Sequence, residues 1–496
     1  MSYVIKADYD QVIMLPPCME DWVSPDHPAR FVRDFVASFP LRDLGIPIPH
    51  PLQGQAPYDP ALLLGLWLYG YLRKVRTSRK VEEACSQDIG FIWLAGNHRP
   101  DHNTLARFFK QNRRVFKRLF KLLVKTAKGL DLIGLVLHAV DGTKIASACG
   151  TPGALHRDDL AQILQTFDAR IDAMMAETTQ ADAQPSAAVA LPAALCDVQA
   201  RRAAIEQQLA RLDAEETNHL QETESEARMQ KCADGKARFG YNCQAVRDER
   251  SGLIVAEELT NAECDTQLLV PMLEETHANL GALAEVTAAD GGYVSGEEIA
   301  HAETHGFAVL LNLSGLAGNP KAGCYPKRDF QYDAALDCYR CPHGALLPFD
   351  HLKQKARKAG SEIFTVKVYK GIACATCPQR VRCTKSPRQG RRVERSPSDD
   401  AIERQMARQD SVECRLLLKM RSQIIEPLFS FIKDAGGFRR FTQRGLGGAR
   451  AQWSLVCLTH NLKALRRLLL AGRFTWEQFV AAFQQALREL PVKQAA

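Results

Sequence analysis

Residues 132–147 read LIGLVLHAVDGTKIAS, an apolar run too short and too rich in β-branched residues for a helix, leading to the carboxylate of Asp141. The stretch predicts a buried strand with an acid at or near its end. A second stretch repeats the design: in LAEVTAADGGYVSGEEIA, 283–300, a short strand ends at Asp290, and Gly291 and Gly292 open a turn into a helix. FAVLLNL, 307–313, supplies another strand, and FGYNCQAVRDERSGLIVAEELT, 239–260, has two β-rich runs around the turn DERSG, the pattern of a hairpin. With a helix expected near 266–279, these pieces predict a mixed α/β sheet with helices around it.

Outward from that sheet the texture changes. Before it, ALLLGLWLYGYL (61–72), KVEEACSQDIGFIWLAG (80–96) and TLARFFKQNRRVFKRLFKLLVKTA (104–127) carry helical apolar stripes, so residues 1 to about 130 read as all-helical. The third of these helices has its cap among Asp101 to Asn103. Between 153 and 227 the chain is rich in Ala, Glu and Gln. There DVQARRAAIEQQLARLDAEETNHL reads as an amphipathic helix and TQADAQPSAAVALPA (179–193) as a loose connector, together a helical insert that interrupts the sheet. Residues 321–395 break the pattern again with Cys, Pro and basic residues, and helical periodicity returns from Ile402 through Ile432.

The chain has 496 residues, 46% hydrophobic and 24% charged, enough for two to four domains with real cores. Nothing in it approaches the roughly 18 to 20 uncharged apolar residues of a spanning helix. The start, MSYVIKADYDQVIM, lacks a signal pattern, so the expectation is a cytoplasmic protein with no membrane partner. The net charge of +7 is modest but uneven. Arg107 to Lys128 holds nine Lys or Arg and no acid, Arg380 to Arg395 forms a second basic run, and Arg439, Arg440, Arg444 and Arg450 a third. Arg107, Lys110, Arg113, Arg114 and Lys117 are the candidates to lie along phosphates, with Arg439 and Arg440 near the C-terminus, against the commoner outcome of solvated helix faces.

In-line transfer of a phosphodiester needs hard oxygen ligands for two divalent ions about 4 Å apart. Asp141 and Asp290, 149 positions apart, are placed to meet if their strands are neighbours. For a lone Asp-Gly, a strand-terminal turn is the blander reading. Glu426 lies in KMRSQIIEPLFSFIK (419–433) among Ile, Leu and Phe, seven residues before Lys433. The following Pro427 predicts a kink or a helix start at Glu426. Gly291, Gly292 and Tyr293 allow a tight turn that leaves Tyr293 to contact a nucleotide. Trp453, His460 and Asn461 fall on an apolar helix and are assigned to packing.

Five of the fifteen cysteines crowd between Cys338 and Cys383. Cys338 and Cys341 form one close pair, Cys374 and Cys377 another, each followed by proline. That is zinc-knuckle spacing, with Cys383 and His343 as further ligand candidates. A structural zinc there would replace the core that so short an insert lacks.

Taken together, YDPALLLGLWLYGYLRKVRTSRKVEEAC and RPDHNTLARFFK, then VDGTKIAS, GYNCQAVRDE, ELTNAECD and AADGGY, and finally EPLFSFIK with GLGGARAQWSLVCLTHNLKAL, resemble the DDE transposases of bacterial insertion sequences. The closest likeness is to the subgroup whose catalytic domain carries a cysteine-rich insert. The resemblance spans nearly the whole chain; Gln452 stands where relatives often carry an acid, and the family's tyrosine ahead of Arg421 is not evident. It implies a ribonuclease-H-like α/β catalytic domain in three pieces, 131–152, 228–320 and 396–475. A helical DNA-binding domain precedes it at 1–130, a helical insert (153–227) and a zinc-ribbon-like insert (321–395) interrupt it, and a C-terminal helix and tail follow at 476–496. Asp141, Asp290 and Glu426 become the triad holding two Mg²⁺ or Mn²⁺ ions, with Arg421 and Lys433 near the DNA backbone. The implied partners are the terminal inverted repeats, a target duplex and a second copy of the chain. Two rival functions stay open: a zinc-containing DNA-binding regulator without catalysis, in which the three carboxylates lie far apart, and a two-metal nuclease without strand transfer.

Overall fold

The computed structural model describes residues 18–48, 57–150, 154–182, 193–214, 217–232, 234–313, 324–356, 363–384, 386 and 389–489. Most of the expected connector 179–193, the leading segment MSYVIKADYDQVIM and the last seven residues lie outside the described residues.

Six helices come first: α1 (Pro28–Ala37), α2 (Pro60–Leu72), α3 (Ser78–Gln87), α4 (Ile89–Leu94), α5 (His102–Gln111) and α6 (Arg113–Gly129). Two stretches expected as single helices are each divided by one polar residue. Asp88 leaves helical geometry and its carboxylate accepts the free N–H groups of Gly90 and Phe91. Asn112 adopts φ −107°, ψ 24°, and its side-chain amide donates to the Phe108 carbonyl at 2.9 Å, closing α5 before α6 begins. Asp101 caps α5, as its position suggested.

The sheet follows. It is built from β1 (Leu137–Ala146), β4 (Arg228–Lys231), β5 (Ala237–Asp248), β6 (Ile254–Thr260), β7 (Val286–Ala289) and β8 (Val309–Leu311). Its order is β4-β5-β1-β7-β8, with β6 also on β5. Strands β1, β5 and β6 pair antiparallel, whereas β7 and β8 continue the sheet in parallel from β1. This is a mixed α/β arrangement consistent with a ribonuclease-H-like DDE domain. Helices α9 (Leu269–Leu280) and α10 (Gly296–Thr304) fill the crossovers.

Between β1 and β4, the short pair β2 (Ala154–His156) and β3 (His219–Gln221) forms the base of a hairpin of α7 (Arg157–Asp182) and α8 (Ala193–Ala214). Helix α7 extends into the stretch expected as loose connector. Leu160 and Leu212 make a small core of the hairpin's own.

The cysteine-rich insert is built on a sheet of its own. Strands β9 (Gln331–Asp333), β10 (Cys338–Arg340), β11 (Leu346–Ala356), β12 (Ile363–Lys370) and β13 (Arg392–Arg395) form a five-stranded antiparallel sheet. It has its own core of Phe330, Tyr339, Leu347, Tyr369 and Val393.

Four helices close the chain: α11 (Asp399–Gln409), α12 (Val412–Ser430), α13 (Leu446–Leu470) and α14 (Trp476–Arg488). The expected helix start at Glu426 does not occur; α12 runs through Pro427 and the chain then relaxes into a π-helical turn over Phe431–Ala435. Helix α6 packs against both α13 and α14, and Phe35 of α1 and Phe39 just beyond it meet Phe483 of α14 with ring centroids 5.6 and 5.1 Å apart. N-terminal and C-terminal helices therefore share one core with the sheet. No helix among the described residues is long and apolar enough to cross a membrane.

That core contains a carboxyl. Glu257 on β6 is fully buried and accepts from Ser454 Oγ at 2.7 Å; burial pushes it up to about 8. Its folded value lies above its ordinary 4.5, so folding favours the protonated form. Stability is therefore fully present below about pH 4.5 and declines as the pH rises through 8. Glu257→Gln keeps the hydrogen bond without the charge. It is expected to flatten that decline and to stabilise the protein by roughly 2 to 4 kcal/mol at pH 9. Urea unfolding at pH 5, 7 and 9 measures this, and a variant weaker than the parent at pH 9 contradicts it.

Candidate active site

Parallel pairing of β1 with β7 places Ala139 opposite Ala288. Two residues on, each chain reaches an aspartate, Asp141 and Asp290, and period-two alternation turns both to the same face. The sequence reading put both acids at strand ends. Asp290 does follow the last residue of β7, but Asp141 lies mid-strand, because Thr143–Ala146 continue to pair with Gly240–Cys243 of β5. Since β7 stops at Ala289, the edge of β1 is uncovered beside Asp141, which opens room next to the carboxylates.

The turn after β7 is fixed by Asp290 itself, whose Oδ1 accepts from the Gly292 N–H at 2.9 Å. A Cβ on Gly291 would lie 3.0 Å from the Asn312 carbonyl oxygen, a tight contact that favours glycine there. Tyr293 does not face a nucleotide: it is fully buried, and its hydroxyl donates to the side-chain oxygen of Gln244. An aromatic ring one residue past a glycine pair packs inward because the sheet's edge must be covered.

Asp141 and Asp290 bracket a positive charge. Arg421 of α12 brings its Nη2 within 3.1 Å of Asp141 Oδ2 and 4.0 Å of Asp290 Oδ2. Asp141 is mostly buried, and burial, helped by Asp290 and Asp265, pushes its carboxyl up to about 6 despite Arg421 and the Gly142 N–H. Two acids around one cation suit a divalent ion, with the guanidinium standing in for it.

Glu426 is not brought in. At about 100° per residue it sits roughly 140° around α12 from Arg421. Arg421, Ile425, Leu428 and Phe429 are buried, whereas Glu426 is exposed and makes no ion pair or hydrogen bond among the described residues. Accordingly, no group of three or more His, Cys, Asp or Glu side chains is arranged to hold a metal ion among the described residues.

The structure adds Asp265, which the motif ELTNAECD contains but which drew no separate reading. Its Oδ1 accepts from Lys144 Nζ (3.0 Å), Asn242 Nδ2 (2.7 Å) and Gln244 Nε2 (2.8 Å). Lys144 is three residues beyond Asp141, hence on the opposite face of β1. Asp265 thus braces the strands from behind.

The basic residues divide. Arg107, Lys110 and Arg114 are exposed on α5 and α6. Lys117 is turned inward: burial opposes its charge, but Glu257, Glu258 and Glu275 outweigh it, and its Nζ lies 2.6 Å from Glu258. Arg113 packs beside Gly448 at the start of α13. Lys433, in the π-helical turn, is half-buried near Cys243, and burial lowers its pKa. Arg439 is exposed and paired with Asp434, whereas Arg440 ties the chain beyond β1 by donating to the Ser147 and Cys149 carbonyls at 3.0 and 2.6 Å. Lys117 is thus engaged by acids of the sheet and of α9, whereas Arg440, although exposed, holds two backbone carbonyls.

The expected zinc ligands separate as well. Cys338 is buried on β10 and is not among the residues that line the cavity beside Cys341. Cys341, Cys374, Cys377 and Cys383 line one small cavity, where burial pushes Cys383 up to about 11. The cavity thus brings together Cys341, Cys374 and Cys377 of the expected set with Cys383, the further candidate, whereas His343 is exposed.

Two family models match the chain: a transposase DDE domain over residues 340–466 and a transposase domain of the DUF772 type over 17–111. Both matches point to a DDE transposase of an insertion element. No curated protein and no solved structure shows a significant match. The DDE match takes in α12 with Arg421 and Glu426, and most of α13; Asp141 and Asp290 of the transposase lie outside it. In this transposase the tryptophan of α13 is structural: Trp453 is fully buried and donates from Nε1 to the Gln244 carbonyl at 3.2 Å. Gln452 accepts from the backbone of Thr442 and Gln443 and donates to the Thr442 hydroxyl.

Proposed function

We propose that this transposase binds the terminal inverted repeats of its element, cleaves the strands to free 3′ hydroxyls, and joins those ends to a target duplex. Asp141 and Asp290 hold Mg²⁺ or Mn²⁺, with Glu426 as third carboxylate. The observation that carries this reading is the pair of acids from adjacent parallel strands around a single positive charge. Two divalent ions at such a site supply activation of the attacking oxygen and neutralisation of the leaving one. The chain's own part is positional: the β1–β7 register sets the two acids side by side, and Asp265 with Lys144 stiffens the strands behind them. Glu426, exposed and unpaired, is free to join. Arg107, Lys110, Arg114 and Arg439 are the surface charges offered to phosphates, and Lys433 lies seven residues beyond Glu426 in the turn after α12. Joining two ends calls for two active sites, so the working form is a dimer on DNA. Zinc takes no part in this reading.

A DNA-binding regulator without catalysis would leave the paired aspartates without a purpose, so their meeting favours an enzyme. The test is incubation of the full chain with Mg²⁺, a duplex carrying the element's end and a second, target duplex. The expected result is a covalently joined product on a denaturing gel. Cleaved ends without joined product would make the protein a nuclease; neither product would leave the regulator.

A further inference from the structure

Arg421 is an unusual neighbour for a metal site. Its side chain is only 8% exposed, its Nε has no hydrogen-bond partner, and its Nη2 lies within 4.0 Å of carboxylates from two strands. Arginine does not shed its proton in proteins, so this charge is permanent and depends on the two aspartates for compensation. A divalent ion ligated by Asp141 and Asp290 would need the same oxygens at about 2.0 to 2.6 Å. Two cations would then be in contact over the same two carboxylates, which like-charge repulsion disfavours.

We infer that Arg421 is the resident counter-cation of the metal-free site: loading of a divalent ion and occupation by Arg421 are mutually exclusive, and entry of the ion expels the guanidinium. Resting on the reading of Asp141 and Asp290 as metal ligands, the inference adds a second role for Arg421. Once expelled, its head has lost both carboxylates and needs a new anion. A DNA phosphate beside the site supplies one, and the planar fork of donors suits phosphate oxygens. Metal and DNA then bind cooperatively, each making the other's place, and the empty enzyme is protected from adventitious metal.

The experiment measures Mn²⁺ binding to the full chain without DNA, by electron paramagnetic resonance of the free ion. The comparison is between the parent, Arg421→Gln, Arg421→Lys and Asp141→Asn. Arg421→Gln is expected to bind Mn²⁺ at least about tenfold more tightly, the low end of coupling between close charge pairs. Arg421→Lys, which keeps a cation, should bind like the parent. Added duplex DNA should tighten Mn²⁺ binding to the parent and leave Arg421→Gln unchanged. Binding to Arg421→Gln equal to or weaker than the parent's overturns the inference. Asp141→Asn separates that failure from a failure of the ligand reading. If Asp141→Asn reduces Mn²⁺ binding while Arg421→Gln gives no gain, only the role of Arg421 falls. If Asp141→Asn changes nothing, the ligand assignment falls with it. Should Arg421→Gln melt before the assay temperature, Arg421→Met offers a neutral side chain that keeps the arginine's apolar stem.

Discussion

Asp141→Asn and Asp290→Asn should each reduce strand cleavage and joining by about a thousandfold or more while leaving binding to the element's end intact. Metal-borne charge stabilisation is worth several kcal/mol, and each 1.36 kcal/mol is a factor of about ten in rate. Asparagine keeps the shape and one oxygen but loses the charge that holds a divalent ion. Because the two acids act on the same ions, the double variant should be little worse than either single one. The two sites differ in structural cost. Asp141 is mostly buried and its carboxyl is already displaced upward, so Asn there relieves a desolvated acid even as Arg421 loses a partner. Asp290 is 42% exposed, and its Oδ1 contact with the Gly292 N–H can be kept by the Asn carbonyl. Both variants should therefore melt close to the parent. Gel-shift and cleavage assays on the same preparations decide the matter: activity within tenfold of the parent in either variant removes that aspartate from the metal site.

The second large effect is on stability. Trp453→Ala should destabilise the protein by about 3 to 5 kcal/mol, the range for deleting a large buried aromatic. It also leaves the Gln244 carbonyl of β5 without its indole donor. The consequence extends to the site, because the Gln244 side chain donates to Asp265 and accepts from Tyr293, whose turn carries Asp290. Trp453→Phe keeps most of the volume and loses only the hydrogen bond, so about 1 kcal/mol is expected. Urea unfolding of the two variants separates the contributions, and a Trp453→Ala midpoint matching the parent's would show that α13 is not held to β5 through this residue.

Much was legible before any coordinates. Apolar period and length marked β1, β7 and β8, the DERSG turn marked the β5–β6 hairpin, and the first acidic cap of α5 was readable at Asp101, because these signals are local: backbone geometry, side-chain alternation and capping act within a few residues. The proximity of Asp141 and Asp290 was conditional on a pairing that the sequence suggested without fixing, and the parallel register Ala139 to Ala288 is what realises it.

What tertiary structure alone decided is where long side chains end. Lys117 and Arg440 read as phosphate contacts in the sequence, and in the fold they also meet Glu258 and two backbone carbonyls. Tyr293 turned inward to Gln244, and Cys338 was buried on β10 outside the cavity that the other four cysteines line. The same holds for Arg421 and Glu426. Their spacing on α12 is written in the sequence, but only the docking of that helix across β1 and β7 shows that the arginine, not the glutamate, reaches the aspartates. Local periodicity is set by covalent geometry, whereas the choice of partner for a charge is set by what the rest of the chain buries beside it.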